Sequence, residues 1–309
     1  MRCGFDHLIS VIPETSVAIR VLAGQNGLDE SGITATFGNG LCRIPVAIGH
    51  TSASLAAQAV TNLLAQRPDL SHRIKAVVLA HSIPIAAASG VDLLAPSLQA
   101  GSLEGQAAVV ISGQPCAVLH SAIQLARIWL SGLPLEAAVL VIGVDVANHP
   151  EERFFFNSAM GDAAIAGVLT QTATNHLILA SITETHVMAC SGEFSEGVAI
   201  SRFRAENPTA IRTVIEHCIA VAGVELDKIV LIVPHTPNNS LWTAVAELLR
   251  FPRERILTDY IGETGHMNSN DSFVHFLRAI HEHRLVGGDL ALLVNPGFGG
   301  TRSCTLLQV

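Results

Sequence analysis

Cys116 lies in the segment Val110-Ile111-Ser112-Gly113-Gln114-Pro115-Cys116-Ala117, where a β-branched run ends in a Gly/Pro turn and an apolar-periodic stretch to Leu130 follows. Read as strand, turn and helix, this puts a thiol at a helix start. Backbone N–H groups there have no intrahelical partner, and the helix dipole presents its positive end. A thiolate is favoured in such a place, and the thiol is a candidate nucleophile. A cysteine packed as a small hydrophobe fits the same segment.

A nucleophile needs a base or a positive partner, and the oxyanion it generates needs donors. Three downstream segments carry the residue types. Val233-Pro234-His235-Thr236-Pro237-Asn238 follows an apolar strand-like run, and ligands gather at the C-terminal ends of strands in α/β sheets. Gly265-His266-Met267-Asn268-Ser269-Asn270-Asp271 joins a histidine to a carboxylate ahead of a helix. Asn295-Pro296-Gly297-Phe298-Gly299-Gly300-Thr301 sets three glycines between two apolar runs. Glycine lets backbone approach a ligand closely, and its N–H groups are available as oxyanion donors. Each segment also has a reading without chemistry. Asn238 and Asp271 suit helix caps, and the glycine turn could need glycine only for its backbone angles. That turn does not match a phosphate-binding loop, since no Lys-Ser/Thr follows.

The elements that must position these groups alternate. Strands are expected at 76–80, 107–112, 137–145, 162–169, 177–182, 228–234, 290–294 and 303–308. Helices are expected at 51–66, 117–130, 208–221, 238–249 and 271–281. Strand–helix alternation with short connections implies parallel strands layered between helices. The chain of 309 residues is 49% apolar, 14% charged and 5% aromatic, the profile of an α/β protein with sheets covered on both faces. The two halves carry a similar order of elements, and no Gly/Ser or Pro-rich linker divides them. The longest clean apolar run, 137–144, is the length of a buried strand and well short of the ~18–20 residues that cross a bilayer. The N-terminus has no signal-type apolar core, so a cytoplasmic protein without membrane contact is expected. The six cysteines (Cys3, Cys42, Cys116, Cys190, Cys218, Cys304) form no C-x-x-C pair, which gives no zinc or redox spacing. A formal charge of −8, with only three Lys or Arg between Val144 and Ala210, argues against nucleic acid as a partner.

In their order, Cys116, His235-x-x-Asn238, the Gly265-His266 loop and Gly297-x-Gly299-Gly300 before a terminal strand resemble β-ketoacyl-ACP synthase III and its relatives in the thiolase superfamily. The resemblance covers nearly the whole chain. The stretch Phe155 to Gly167, with Gly161-Asp162-Ala163-Ala164, looks like the family's Gly-Asp-Gly-Ala strand. The resemblance implies an α/β, thiolase-like fold of five layers (αβαβα) made of two related halves. Residues 1–170 would carry the nucleophile, and residues 171–309 the histidines and the Gly-rich turn. It further implies that Cys116 attacks a thioester and becomes acylated with the help of His235. The Cys116 N–H and one from Phe298 or Gly299 would form the oxyanion hole. No cofactor or metal is implied beyond an acyl-CoA or acyl carrier protein thioester as substrate. Such chains are usually dimers, here a homodimer or a heterodimer with a homologous ketosynthase.

The sequence departs from the family at the second-half loop, where the family's Gly-Asn-Thr-Ser aligns with Gly265-His266-Met267-Asn268. In condensing members, His and Asn together stabilise the enolate formed when a malonyl thioester loses carbon dioxide. That role falls here to His266, or to Asn268 or Asn270 if the loop shifts; a neutral imidazole can donate the hydrogen bond. Alternatively Asp271 orients a histidine, giving the Cys-His-carboxylate arrangement of a general-base acyltransferase. The stretch 28–37 has neither the Trp nor the Arg with which family synthases often clasp coenzyme A, and Ser240 stands where an Arg follows His-x-x-Asn. A carrier-protein-bound substrate fits those absences. His120, one turn after Cys116, either lines the acyl tunnel or is a satisfied core histidine. Asn238, Asn268, Asn270 and His120 are thus candidate substrate contacts. The expected activity is acylation of Cys116 and condensation with a malonyl-type unit, in polyketide or fatty-acid-like secondary metabolism. Transfer to a hydroxyl or amine without a new carbon–carbon bond is the first alternative. A subunit of a heteromeric ketosynthase and a thioester hydrolase are the others.

Overall fold

The computed structural model of the chain describes residues 2–25, 40–82, 90–155, 158–186, 197–236 and 239–309. Nine strands form its main sheet: β1 (Gly4–Val11), β2 (Ile74–Ala80), β3 (Ala107–Ile111), β4 (Ala138–Asp145), β5 (Ala163–Thr170), β6 (Leu177–Thr185), β7 (Ile229–Pro234), β8 (Leu290–Pro296) and β9 (Thr301–Gln308). Their spatial order is β7-β8-β9-β6-β1-β5-β4-β2-β3. β1 and β6 meet only through Gly4 opposite Leu177. Outward from that seam the same pattern runs both ways. β1–β5 and β5–β4 are antiparallel, then β4–β2 and β2–β3 are parallel. β6–β9 and β9–β8 are antiparallel, then β8–β7 is parallel.

Six helices cover and separate these strands: α1 (Ser52–Gln66), α2 (Gly90–Ala100), α3 (Val118–Ser131), α4 (Val198–Ala222), α5 (Asn239–Leu249) and α6 (Asp271–His281). The period-2 alternation of side chains divides each strand between two cores. On β2, Val78 and Ala80 face a central core, while Val77 and Leu79 face α1 and α2. On β8, Ala291 and Leu293 face that central core, while Leu292 and Val294 face α4 and α5. The central core holds the apolar faces of α3 and α6, so the layers run αβαβα. This is a thiolase-like α/β fold. No helix among the described residues is long and apolar enough to cross a membrane.

Most elements fall within a residue or two of the positions read from periodicity, and α6 matches at both ends. Thr51 caps α1 by accepting from the Ser54 N–H. α4 differs: it begins ten residues before Pro208, which lies inside it. A proline there removes one i→i−4 bond without ending the helix. The buried Asn207 side chain, which accepts from the Arg302 guanidinium, fastens that turn to β9. β1 escaped the periodicity reading because Gly4-Phe5-Asp6-His7-Leu8 mixes buried apolar and part-exposed polar positions.

A close backbone approach brings the halves together beside Cys116. The turn after β8 is closed by Gly297 N–H donating to the Thr301 carbonyl at 2.7 Å. A Cβ at Gly297 would run into the Pro115 carbonyl oxygen, so this turn lies directly against the residue before Cys116. Gly297→Ala should therefore force the two loops apart. We expect a loss of about 1–3 kcal/mol in thermal or denaturant unfolding, as for other overpacked sites, together with slower acylation of Cys116. Wild-type stability in that variant contradicts the close approach.

Candidate active site

The residues Gln114-Pro115-Cys116-Ala117 form a tight turn, closed by the Ala117 N–H donating to the Gln114 carbonyl at 3.0 Å. Proline in the second position and a positive φ of 64° at Cys116 in the third are the signature of a type II turn. A non-glycine residue in that region costs about 1–2 kcal/mol. Asn295, at the end of β8, holds it there by donating from Nδ2 to the Cys116 carbonyl at 2.8 Å and to the Ser269 carbonyl at 3.3 Å. Ser303 Oγ donates to the Ala117 carbonyl at 3.2 Å. Cys116 thus sits just ahead of α3, 4% exposed, pinned by side chains from the second half.

The imidazole within reach of the sulfur belongs to His266. Its Nε2 is 3.2 Å from Cys116 Sγ, and its Nδ1 is hydrogen-bonded to Asp271 Oδ2. Asp271, the first residue of α6, also accepts from the Met267 N–H at 2.6 Å and the Thr236 N–H at 2.8 Å. Its carboxylate is fixed on three sides, at the positive end of a helix dipole. Asn268, with φ 53°, places its Oδ1 3.8 Å from the sulfur. His235 follows β7 and stands edge-on to His266, ring centroids 5.3 Å apart. Trp242 stands edge-on to His235 at 5.8 Å and donates from its indole N–H to the His235 carbonyl. The expected first partner of the thiol, His235, is therefore one ring removed. Sequence order cannot tell which of two histidines meets a thiol brought in from the other half.

The remaining candidates separate. Asn270 turns away from the sulfur, its amide donating to Asp145 Oδ2 at 3.3 Å and the Met267 carbonyl at 3.4 Å. His120 is fully buried in α3, its Nδ1 2.7 Å from Thr305 Oγ1 and its ring 5.2 Å from that of Phe273. Phe298 and Gly299 lie in the turn that abuts Pro115. Asn238, Cys190 and the stretch 28–37 lie outside the described residues. Among the described residues, no group of three or more His, Cys, Asp or Glu could hold a metal ion. Asn295 and Asp145 were not singled out from the sequence. The signal was present: each is a polar residue at the C-terminal end of an apolar strand, where α/β sheets gather ligands.

Charge divides the two histidines. Burial alone would lower the pKa of His266, but the Asp271 carboxylate, and then the negative charge that Cys116 can carry, more than offset it and raise it to about 10. Burial would raise Asp271, yet the His266 charge and hydrogen bond keep it below the usual carboxylate range. His235 moves the opposite way: burial, reinforced by the His266 charge, lowers it to about 3. At neutral pH the site holds an imidazolium beside the sulfur and a neutral imidazole behind it. Asn268 Nδ2 and His235 Nδ1 are among the buried polar atoms there without a partner among the described residues. Unpaired buried groups are costly and rare in folded proteins.

Residues 219–309 match the family model for the 3-oxoacyl-[acyl-carrier-protein] synthase III C terminal. The β-ketoacyl-[acyl-carrier-protein] synthase III of Aquifex aeolicus (strain VF5) is 28% identical over 182 residues, which is 55% of this chain and 57% of that protein. The sequence match thus spans a little over half the length of that relative. The crystal structure of 3-oxoacyl-[acyl-carrier-protein] synthase III from Aquifex aeolicus VF5 superposes with a TM-score of 0.82 at 21% identity, covering 99% of this chain and 100% of that one. ChlB3, described as an "aceyltransferase", superposes with a TM-score of 0.87 at 18% identity, covering 100% of this chain and 98% of that one. At such identities the superpositions establish the fold. The chain thus has the fold of those structures, and its C-terminal third is similar in sequence to the C-terminal part of the synthase III proteins.

Linkage gives these charges a measurable signature. The folded pKa of His266 lies above its unfolded value, so its contribution is fully present below ~6.5 and is lost as pH rises through about 10. His120, His235 and His275 are buried neutral, lowered chiefly by burial to about 4, 3 and 4. Their contribution is full above ~6.5 and is lost as pH falls, at roughly 1.4 kcal/mol per pH unit for each. Thermal unfolding across this range should show stability falling below about pH 6, before most carboxylates titrate. It should also show an alkaline decline that His266→Asn removes. A profile flat from about pH 4.5 to 6.5 contradicts the neutral assignment of the three histidines.

Proposed function

We propose that this protein is an acyltransferase that takes an acyl group from a coenzyme A or carrier-protein thioester onto Cys116 and passes it to a hydroxyl or amine. The observation that carries this reading is the hydrogen-bonded line Cys116 Sγ, His266, Asp271. An imidazole oriented by a carboxylate is the arrangement that moves a proton to and from a nucleophile.

In the proposed reaction the Cys116 thiolate attacks the thioester carbonyl carbon. The carbonyl electrons move onto oxygen, which accepts hydrogen bonds from the Cys116 N–H and from the N–H of Phe298 or Gly299. The intermediate collapses, the carbon–sulfur bond to the donor breaks, and the departing thiolate takes the proton of the His266 imidazolium. The acyl group is now on Cys116 and His266 is neutral. The acceptor O–H or N–H gives its proton to His266 Nε2 as its lone pair attacks the acyl carbon. A second collapse expels Cys116 as thiolate and restores the imidazolium beside it. Asp271 fixes the tautomer and ring angle of His266 throughout. His235, Asn268 and Asn238 hold the substrate's polar atoms, while His120 and Asn270 act from behind the site. The reading includes division at residues 170/171 into two related halves and a pair of such chains as the working unit.

A second reading keeps the same acylation and follows it with decarboxylative condensation. The partnerless Asn268 Nδ2 and His235 Nδ1 favour it, since a neutral imidazole and an amide are the donors an enolate oxygen needs. Carbon dioxide release separates the two.

Incubation with acyl thioesters should leave an adduct on Cys116 by intact mass, absent in Cys116→Ala. His266→Ala and Asp271→Asn should slow transfer by on the order of 10²–10⁴-fold. A malonyl thioester should yield no carbon dioxide; release in step with product would establish condensation instead. His266→Ala with wild-type transfer removes the proposed proton shuttle.

A further inference from the structure

His266 does not owe its place to the second half alone. Its backbone is paired with a segment of the first half: the His266 N–H donates to the Ala159 carbonyl at 3.0 Å, and the Gly161 N–H donates to the His266 carbonyl at 3.1 Å. Two glycines permit the approach. A Cβ at Gly161 would strike the Thr264 carbonyl oxygen, and one at Gly265 (φ 62°) would strike Ile44 and the Ala159 carbonyl oxygen. Strand polar groups alternate in direction, so what holds Met160 from behind decides whether Ala159 and Gly161 face His266.

What holds Met160 is Arg153. The Met160 N–H donates to the Arg153 carbonyl at 2.7 Å, and Arg153 Nη1 donates to the Met160 carbonyl at 3.1 Å. The guanidinium is itself clamped by Asp162, with Nη1 and Nη2 each 2.8 Å from a carboxylate oxygen. Asp162 also accepts from the Ala47 and Ala147 N–H groups at 2.7 and 3.0 Å. Both side chains are buried, and none of their hydrogen bonds among the described residues reaches Cys116, Asp271 or the His266 ring. Buried ion pairs pay heavily in lost hydration and are weak stabilisers, but they specify geometry when they fork into backbone.

We propose that Arg153 and Asp162 are positioning residues for His266: they set the Ala159–Gly161 backbone against which the imidazole is aligned on the Cys116 sulfur. The inference rests on the proposed role of His266 as the proton carrier. Planar bidentate geometry, and not charge alone, is what the site uses.

The test compares Arg153→Lys and Asp162→Asn with wild type and with His266→Ala. Three quantities are read: near-ultraviolet circular dichroism for folding, the steady-state kcat and KM for acyl transfer, and the rate of Cys116 alkylation by iodoacetamide as a function of pH. Arg153→Lys keeps the charge and loses the fork. Folded variants should keep KM and lose on the order of 10- to 100-fold in kcat, the scale of a small misplacement. Their alkylation profiles should move toward that of His266→Ala. Folded variants with wild-type kcat and alkylation profile overturn the proposal, whatever their melting temperature, since a structural role alone would leave both unmoved. Should the single variants fail to fold, Arg153→Met/Asp162→Leu removes both charges at similar volume, and the same two readouts decide. If His266→Ala itself matches wild type, the proton-carrier reading falls and this proposal with it. If His266→Ala is slow while the clamp variants are not, only the clamp is refuted.

Discussion

A sulfur, an imidazole and a carboxylate share one buried line in this molecule, and charge is what keeps them on it. The Asp271 carboxylate has little water around it and takes its stabilisation from two backbone N–H groups, a helix start and the His266 ring. That carboxylate in turn lets His266 remain protonated in a place where burial alone would discharge it. Each group would be costly to bury singly. Together, with the sulfur at the far end, they satisfy one another.

The remainder of the fold is arranged so that this line can form from parts that are distant in the chain. Cys116 comes from the carboxyl end of β3 in the first half, and His266 and Asp271 lead into α6 in the second. α3 and α6 lie side by side in the central layer, so the starts of both helices point into one region. Three contacts fix the register between the halves: the Gly297 turn on Pro115, the Asn295 side chain on the Cys116 carbonyl, and the Gly161 backbone on His266. The apolar layers supply the bulk of the cohesion, whereas these few polar contacts set distances within the site. His235 shares the site without sharing its charge. Its neutrality follows from burial beside a cation, and that contrast allows two neighbouring imidazoles to have different roles in the proposed reaction.

Much of the architecture is legible in the amino-acid sequence because burial imposes periodicity. Apolar runs such as 76–80 and 137–145 have the length and β-branched content of strands buried on both faces, and the 3.6-residue pattern from Asp271 fixes α6 at both ends. Cys116 could be singled out from its Gly/Pro turn alone. Its positive φ could not, since glycine is the residue that normally takes that position in a turn led by proline. The pairing of Cys116 with His266 was harder to see. Both histidines lie in the same half, His235 after an apolar strand and His266 in a polar loop ahead of a helix, and the choice between them depends on how closely two glycines allow the halves to approach. The Arg153–Asp162 pair was invisible for the same reason: a charge nine residues from another is unremarkable until the chain folds back. Periodicity reports which face a residue buries, and it carries no information on which partner from another layer it meets.

The charge on His266 is what every other group in the site answers to. Selective ¹⁵N labelling of the histidines, with the His266 resonances assigned by comparison with His266→Asn, allows its ring to be titrated directly by NMR in the resting protein. The imidazole should remain doubly protonated through neutral pH and release its proton only near about 10. A ring that titrates near ~6.5, the value of a free histidine, would show that Asp271 and Cys116 do not hold its charge.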